Sequence, residues 1–283
     1  MKPAAFDYLR PESVDEAVAQ LAEHGGDGKI LAGGQSLVPL LNFRVVRPNV
    51  LIDINRLTML DFVEEHDGGL RIGALTRHHT LETSPLVRYR FPVLAAAMQH
   101  VAHLAIRNRG TIGGSLSHAD PASELPMLAL LLDAEIQTSA ACRAAADFFV
   151  GPLTTALADD ELVTEIVLPA LPPKTGWGFE EFSLRAGDFA VAAVAATLTG
   201  ADGKIAKARL AAMGVGETPL RLLAAEAALT GQPFTAQLAT EAAQLARDEV
   251  DPSSDLRASA GYRRHLVAAL TERALETAWA RAR

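Results

Sequence analysis

The chain has a single cysteine, Cys142, in 283 residues. No disulfide can close within it, and neither a Cys₄ iron–sulfur cluster nor a Cys₄ zinc site has enough ligands. Cys142 is expected to be a partly buried, inert thiol. Basic runs are also lacking: 26 Lys and Arg face 34 Asp and Glu, a formal charge of −8 with the eight His neutral. Nucleic-acid binding needs clustered cations against the phosphates, and the pair Arg263-Arg264 is too short to supply them. No apolar run reaches transmembrane length, and Met1-Lys2-Pro3-Ala4-Ala5-Phe6-Asp7 has no cationic segment followed by an apolar one. The expectation is a cytoplasmic protein without signal peptide, membrane span or nucleic-acid partner.

Two familiar phosphate-binding patterns are missing as well. No segment has the G-x-G-x-x-G spacing of a dinucleotide turn or the G-x-x-x-x-G-K-[ST] spacing of a P-loop. Instead there are two glycine doublets, Ala32-Gly33-Gly34-Gln35-Ser36 and Thr111-Ile112-Gly113-Gly114-Ser115, each after an apolar stretch. Paired glycines let the main chain turn sharply and approach a ligand. Successive N–H groups in such a turn form a concave nest for phosphate oxygens. Either doublet alone reads as an ordinary turn. Two of them together could clamp the two halves of one pyrophosphate.

Other candidate chemistry is thinner. His100 and His103 are three apart on an expected helix, but no third ligand is evident, and they read as a polar or interfacial face. His78-His79 read as structural or surface residues, and Asp159-Asp160-Glu161 as a solvated turn. His118-Ala119-Asp120 has no G-x-S-x-G partner for nucleophilic catalysis.

The hydrophobic fraction of 49% allows real cores, though alanine swells it after residue 190. Ser13 with Glu16 forms a capping box that opens a helix with Val14, Ala17, Val18 and Leu21 on its apolar face, ended by Gly25-Gly26. Strands are expected at 29–32 and 50–54, with a helix at 37–43. Further on, the pattern predicts a strand at 70–74, helices at 80–87, 91–106 and 123–132, and strands at 134–138 and 161–168. The clearest linker is 169–176, rich in proline. Beyond it come three antiparallel strands, 178–185, 190–198 and 205–213, with an Asp202-Gly203 turn between the last two. Ala-rich helices follow at 218–229, 235–249 and 256–281.

The doublets AGGQSL (32–37) and TIGGSLSHADP (111–121), with DIN (53–55) and IGALT (72–76) between them and GDFA (187–190) after the linker, carry a family resemblance. The chain resembles the FAD-binding medium subunit of molybdenum hydroxylases, of the carbon monoxide, nicotine and xanthine dehydrogenase type. The match runs in order from residue 3 to the C-terminus. It implies an α+β fold: a two-subdomain FAD-binding unit of the PCMH/vanillyl-alcohol-oxidase type, residues 1–55 and 56–175. A C-terminal flavoprotein domain, 176–283, follows with a three-stranded antiparallel sheet and a helical bundle.

The resemblance also implies which residues meet FAD. Ala32, Gly33, Gly34, Gln35 and Ser36 form the first loop, and Thr111, Gly113, Gly114 and Ser115 the second, both offering main-chain N–H groups to the pyrophosphate. Ser117, His118 and Asp120 lie just past it. Glu124 stands where relatives carry an acidic residue near the ribose or ribityl hydroxyls, and Leu162 and Phe189 complete the set. Some relatives have His in place of Gln35 and Asp in place of Glu124. Phe189 either covers one isoalloxazine face or is a core aromatic beside a strand, and Asp188 either serves that site or turns the chain. No acid–base residue of this chain need touch the organic substrate.

The implied activity is electron transfer by an oxidoreductase subunit. FAD takes electrons from [2Fe-2S] clusters of a small partner subunit and delivers them to a terminal acceptor. A large molybdopterin-binding subunit handles the organic substrate, and the assembly is a dimer of heterotrimers. The single cysteine agrees, since the clusters must then lie on another chain. Two alternatives stay open: a stand-alone FAD-dependent oxidoreductase of the same fold, and a non-catalytic module that has lost FAD.

Overall fold

The computed structural model describes residues 2–282. Its first unit comprises β1 (Asp7–Leu9), α1 (Val14–His24), β2 (Gly28–Leu31), α2 (Leu37–Asn42) and β3 (Val50–Asp53), the strands parallel in the order β1-β3-β2. Helix α1 starts where expected because Ser13 Oγ accepts from the Glu16 N–H at 3.1 Å. The Glu16 carboxylate reaches back to the Glu12 N–H at 2.7 Å. Gly25, at φ 53°, ends the helix. Ala17 and Leu21 bury against Val50 and Ile52, and Leu60, Leu75 and Leu162 extend this core into the next unit.

The second unit runs β4 (Val63–His66), β5 (Gly69–Gly73), α3 (His78–Thr83), α4 (Pro85–Arg90), α5 (Pro92–Ala97), α6 (Leu104–Arg107), α7 (Ile112–His118), α8 (Glu124–Leu131), β6 (Glu135–Thr138), β7 (Cys142–Ala144), α9 (Ala145–Phe148), β8 (Phe149–Gly151), β9 (Thr154–Thr155) and β10 (Val163–Leu168). Its antiparallel sheet has the order β4-β5-β10-β6-β7, and β8 pairs with β9. Two expected helices are broken. The 80–87 segment divides at Ser84, whose Oγ accepts from the Val87 N–H, with Pro85 in the first turn of the new helix. The 91–106 segment divides at 98–103, where Ala102 takes φ 44°. The Arg107 guanidinium donates to the carbonyls of Val101 and Ala102 at 3.0 and 3.1 Å, doing for them what a continued helix would do. Cys142 is exposed rather than partly buried, on strand β7 beside Glu135.

The third unit contains β11 (Thr175–Phe182), β12 (Ala192–Ala201), β13 (Lys204–Met213), β14 (Leu220–Arg221), α10 (Leu223–Leu229), α11 (Ala236–Glu249) and α12 (Ala260–Arg281). The sheet is antiparallel with four strands instead of three, β14 adding a two-residue edge to β13. Asp202 and Gly203 both have positive φ, 50° and 75°, which suits the twist of a tight hairpin. Residues 192–198 are all buried, because the sheet is covered twice. Ala193 and Ala195 face the second unit's core, while Val194 and Ala196 face the helices. Among the described residues no helix is long and apolar enough to cross a membrane.

Candidate functional site

Strand β2 delivers the chain into the first glycine doublet, and the DIN segment fixes its course. Asn55 Nδ2 donates to the Ala32 carbonyl at 2.8 Å and to Asp53 Oδ1 at 2.7 Å. Tyr8 closes the network by donating to the other oxygen of Asp53. Burial pushes the Asp53 carboxyl up, but the bonds from Tyr8 and Asn55 outweigh it and hold it below its ordinary value. A Cβ on Gly33 would lie 2.4 Å from the Arg109 carbonyl oxygen and 2.8 Å from Gly110 Cα. The first doublet therefore touches the residues just ahead of the second. Gly34 has φ 71°, a left-handed conformation that favours glycine. Gln35 folds back, its Nε2 donating to the Gly33 carbonyl at 2.8 Å.

Among the described residues, the N–H groups of Gly33, Gly34, Gln35 and Ser36 donate to no protein acceptor. Gly33, Gly34 and Gln35 border a cleft of about 380 Å³, lined also by Leu31, Val38, Pro39, Asn42 and Arg109. That volume suits part of a nucleotide, and no carboxylate lines it.

The second doublet has a different conformation from the expected nest. Thr111 caps α7, and Gly113-Gly114 lie in that helix's first turn. The amides are already committed: Ile112 to the Thr76 carbonyl at 3.0 Å, Gly113 to the Ala74 carbonyl at 2.9 Å, Gly114 to Thr111 Oγ1 at 3.1 Å and Ser115 to the Thr111 carbonyl at 3.0 Å. The IGALT segment is thus the seat of the second doublet. Gly113 is required there for packing, since a Cβ would lie 2.6 Å from Ala74 Cβ. Gly114 is exposed, and its Cβ would meet only Thr111 Oγ1, at 2.8 Å.

His78 supports this turn from beneath. Its Nε2 lies 3.1 Å from the Thr111 carbonyl and 3.0 Å from Ser115 Oγ, and Gly110 packs on the ring. Burial pushes His78 down to about 4, so the ring is neutral at pH 7 and Nε2–H donates to Thr111.

The remaining residues of the expected set occupy several places. Ser117 is exposed, and His118 ends α7 before Ala119 turns left-handed at φ 51°. Asp120 Oδ1 accepts from the Ala122 N–H at 2.9 Å. Glu124 opens α8 and is buried. Burial, then the neighbouring carboxylates of Glu181 and Asp120, raise it to about 8. Glu181 on β11 is raised to about 7 by burial, with His100 Nδ1 3.9 Å away. Leu162 lies in the core between the first two units with Leu57, Leu60 and Leu75, and its N–H donates to Ser139 Oγ at 3.1 Å. Phe189 is 47% exposed between β11 and β12, with the Arg257 guanidinium 6.0 Å from its ring centre, so it is not a core aromatic. Asp188 belongs to a turn, its N–H donating to the Arg185 carbonyl at 3.1 Å, and Gly187 packs on the His103 ring.

His100 and His103 do not share a helix, because the chain breaks between α5 and α6. Of the acidic turn, Asp159 and Asp160 are exposed, but Glu161 is buried against Arg143 with Nη2···Oε2 at 2.9 Å. Arg77 and Arg109, outside the expected set, also belong to this region, and each borders a glycine-bearing segment, which is a usable signal at a phosphate-type turn. Nothing local marks Glu181.

Residues 4–171 match the family model described as the FAD binding domain in molybdopterin dehydrogenase. Residues 177–278 match the CO dehydrogenase flavoprotein C-terminal domain. The chain is similar to the 6-hydroxypseudooxynicotine dehydrogenase complex subunit alpha of Paenarthrobacter nicotinovorans, at 41% identity over 100% of this chain and 97% of that one. It is similar to the caffeine dehydrogenase subunit beta of Pseudomonas sp. (strain CBB1), at 41% identity over 98% and 96%. Among solved structures it is similar to a chain of the carbon monoxide dehydrogenase from Hydrogenophaga pseudoflava that lacks the Mo-pyranopterin moiety. The TM-score is 0.96 and the identity 40%, over 99% of each chain.

Proposed function

Since the chain belongs to the family of FAD-binding medium subunits of the molybdenum hydroxylases, we propose that it carries electrons from [2Fe-2S] clusters of a small partner subunit to a terminal acceptor. The organic substrate would be oxidised on a large molybdopterin-binding subunit. The observation that carries the reading is the first glycine loop, whose amides have no protein acceptor among the described residues and whose Gly33, Gly34 and Gln35 line a cleft free of carboxylates. Such a site fits an anionic dinucleotide. FAD, when bound, supplies the conversion between one-electron and two-electron transfer.

The chain's own residues bind and orient. Ala32 to Ser36 hold the pyrophosphate through the loop amides. The bare edge of Gly114 lets the ligand close in, and Ser115 and Ser117 offer hydroxyls there, while buried Thr111 holds the turn by capping it. Gly113 keeps that turn seated on Ala74. His118 and Asp120 border the site. Glu124, protonated at neutral pH, has a proton to donate to a sugar or ribityl oxygen. Leu162 and Phe189 supply apolar surface.

The three larger sheets support a division into 1–55, 56–175 and 176–283. We assign the chain to the cytoplasm and to a heterotrimer doubled by two-fold symmetry. Purified assembly should show flavin absorbance and release FAD on denaturation. Release of FMN, or a colourless chain that added FAD leaves colourless, would overturn the reading.

A further inference from the structure

We propose that Arg109 is the cation of this dinucleotide site, its guanidinium pairing with the pyrophosphate opposite the amides of the first glycine loop. The inference rests on the FAD reading above and adds a residue to it. Arg109 is the one charged residue lining the cleft. Its side chain is exposed and has no hydrogen bond or ion pair among the described residues. Other arginines of this unit are engaged: Arg71 with Glu165 at 2.5 Å, Arg107 with Glu82 at 2.9 Å and Arg143 with Glu161.

The main chain of Arg109 is held from three sides. Its carbonyl accepts from Arg77 Nη1 at 2.5 Å and packs on Gly33, and the following Gly110 is pinned on the His78 ring. Arg77 Nη2 donates in turn to Asn55 Oδ1 at 2.8 Å, and Asn55 holds the first loop. One network therefore sets the distance between Arg109 and the free amides of Gly33 to Ser36.

Charge assigns the role. Burial disfavours the Arg77 charge, and Arg109 adds to this while Asp61 and Asp53 offset it. A dianion bound beside Arg109 would favour the Arg77 charge as well. The second doublet cannot take over the neutralisation through its amides, since those of Ile112 to Ser115 already have acceptors. What the second segment brings to the cleft is Arg109. A guanidinium binds phosphate oxygens in a fork, which an ammonium does not.

The test uses the full chain freed of flavin, with FAD, ADP and riboflavin as probes at low and high salt. Arg109→Gln should weaken FAD and ADP by ~10- to 100-fold, the size of one charged hydrogen-bond pair. It should reduce the salt dependence of both and leave riboflavin binding unchanged. Arg109→Lys should recover part of the loss. Near-UV circular dichroism should match the wild type, because the side chain has no protein partner to lose. Equal FAD and ADP affinity and an equal salt dependence in Arg109→Gln would overturn the proposal. So would an equal loss of riboflavin. Wild-type chain that binds FAD no more tightly than riboflavin would overturn the dinucleotide reading itself, and the proposal with it.

Discussion

Glu124 is a carboxyl that the fold keeps protonated. Its folded value of about 8 stands above the ordinary 4.5, so between those values the folded chain holds a proton that the unfolded chain has released. The associated stability is complete below pH 4.5 and is lost as pH rises through 8, on the order of a few kcal/mol. Thermal melts of Glu124→Gln should show a shallower fall between pH 5 and 8 and a higher midpoint than wild type at pH 8. A slope equal to wild type would mean that Glu124 does not titrate in this window. The glycines separate in a similar way. Gly33→Val drives a Cβ into the Arg109 carbonyl at 2.4 Å, so it should lower both the melting midpoint and FAD retention. Gly114→Val meets only Thr111 Oγ1, the cap of α7, so it should cut FAD retention at a cost of ~1 kcal/mol in stability from the disturbed cap. Near-normal flavin occupancy in Gly114→Val would show that this edge does not approach the ligand.

Helix α12 lies directly on strand β11. Cβ atoms on Gly176 and Gly178 would fall 2.0 and 2.1 Å from the carbonyl oxygens of Ala278 and Ala274. Gly178→Ala must push the helix off the sheet and should cost ~1–3 kcal/mol. Gly261, near the start of the same helix, has nothing within 4 Å. Gly261→Ala should therefore gain about 0.5 kcal/mol through helix propensity. Chemical denaturation of the two variants should move in opposite directions, and a shared direction would refute this packing account. The loop between β11 and β12 poses a second question through Phe189. Phe189→Ala should change the flavin spectrum more than FAD affinity, with a stacking loss of ~1 kcal/mol. An unaltered spectrum would place the ring away from the cofactor.

At the scale of the molecule, three units meet along two seams. Leu60, Leu75 and Leu162 join the first two, and Ala193, Ala195, Ala211 and Met213 seat the third sheet on the second unit's core. Asp133 ties that second seam further through Arg221 at 3.2 Å and through Arg209. A chain with one cysteine holds no iron–sulfur cluster of its own. By itself it should not oxidise the organic substrate, yet it should take electrons from an artificial donor and pass them to a dye. Native mass spectrometry of the purified assembly should show large, medium and small subunits in equal number, in two copies. A lone chain fully active towards an organic substrate would favour the stand-alone oxidoreductase.

The sequence alone determined what depends on near neighbours. Ser13 with Glu16 marked the start of α1, Asp202-Gly203 marked the hairpin, and the two doublets with DIN, IGALT and GDFA identified the family and its cofactor. Each of these signals acts within a few residues of itself. The tertiary structure decided what depends on distant partners. It broke the 91–106 helix, because Arg107, held by Glu82, satisfies the carbonyls of Val101 and Ala102. It turned the second doublet into a helix start, because the carbonyls of Ala74 and Thr76 claim its amides. It raised Glu124 by burying it and then through Glu181, a residue of the next unit. It also set Arg109 against Gly33, an approach that neither segment encodes. A glycine permits close contact, but which backbone fills the space is settled only when the two units pack.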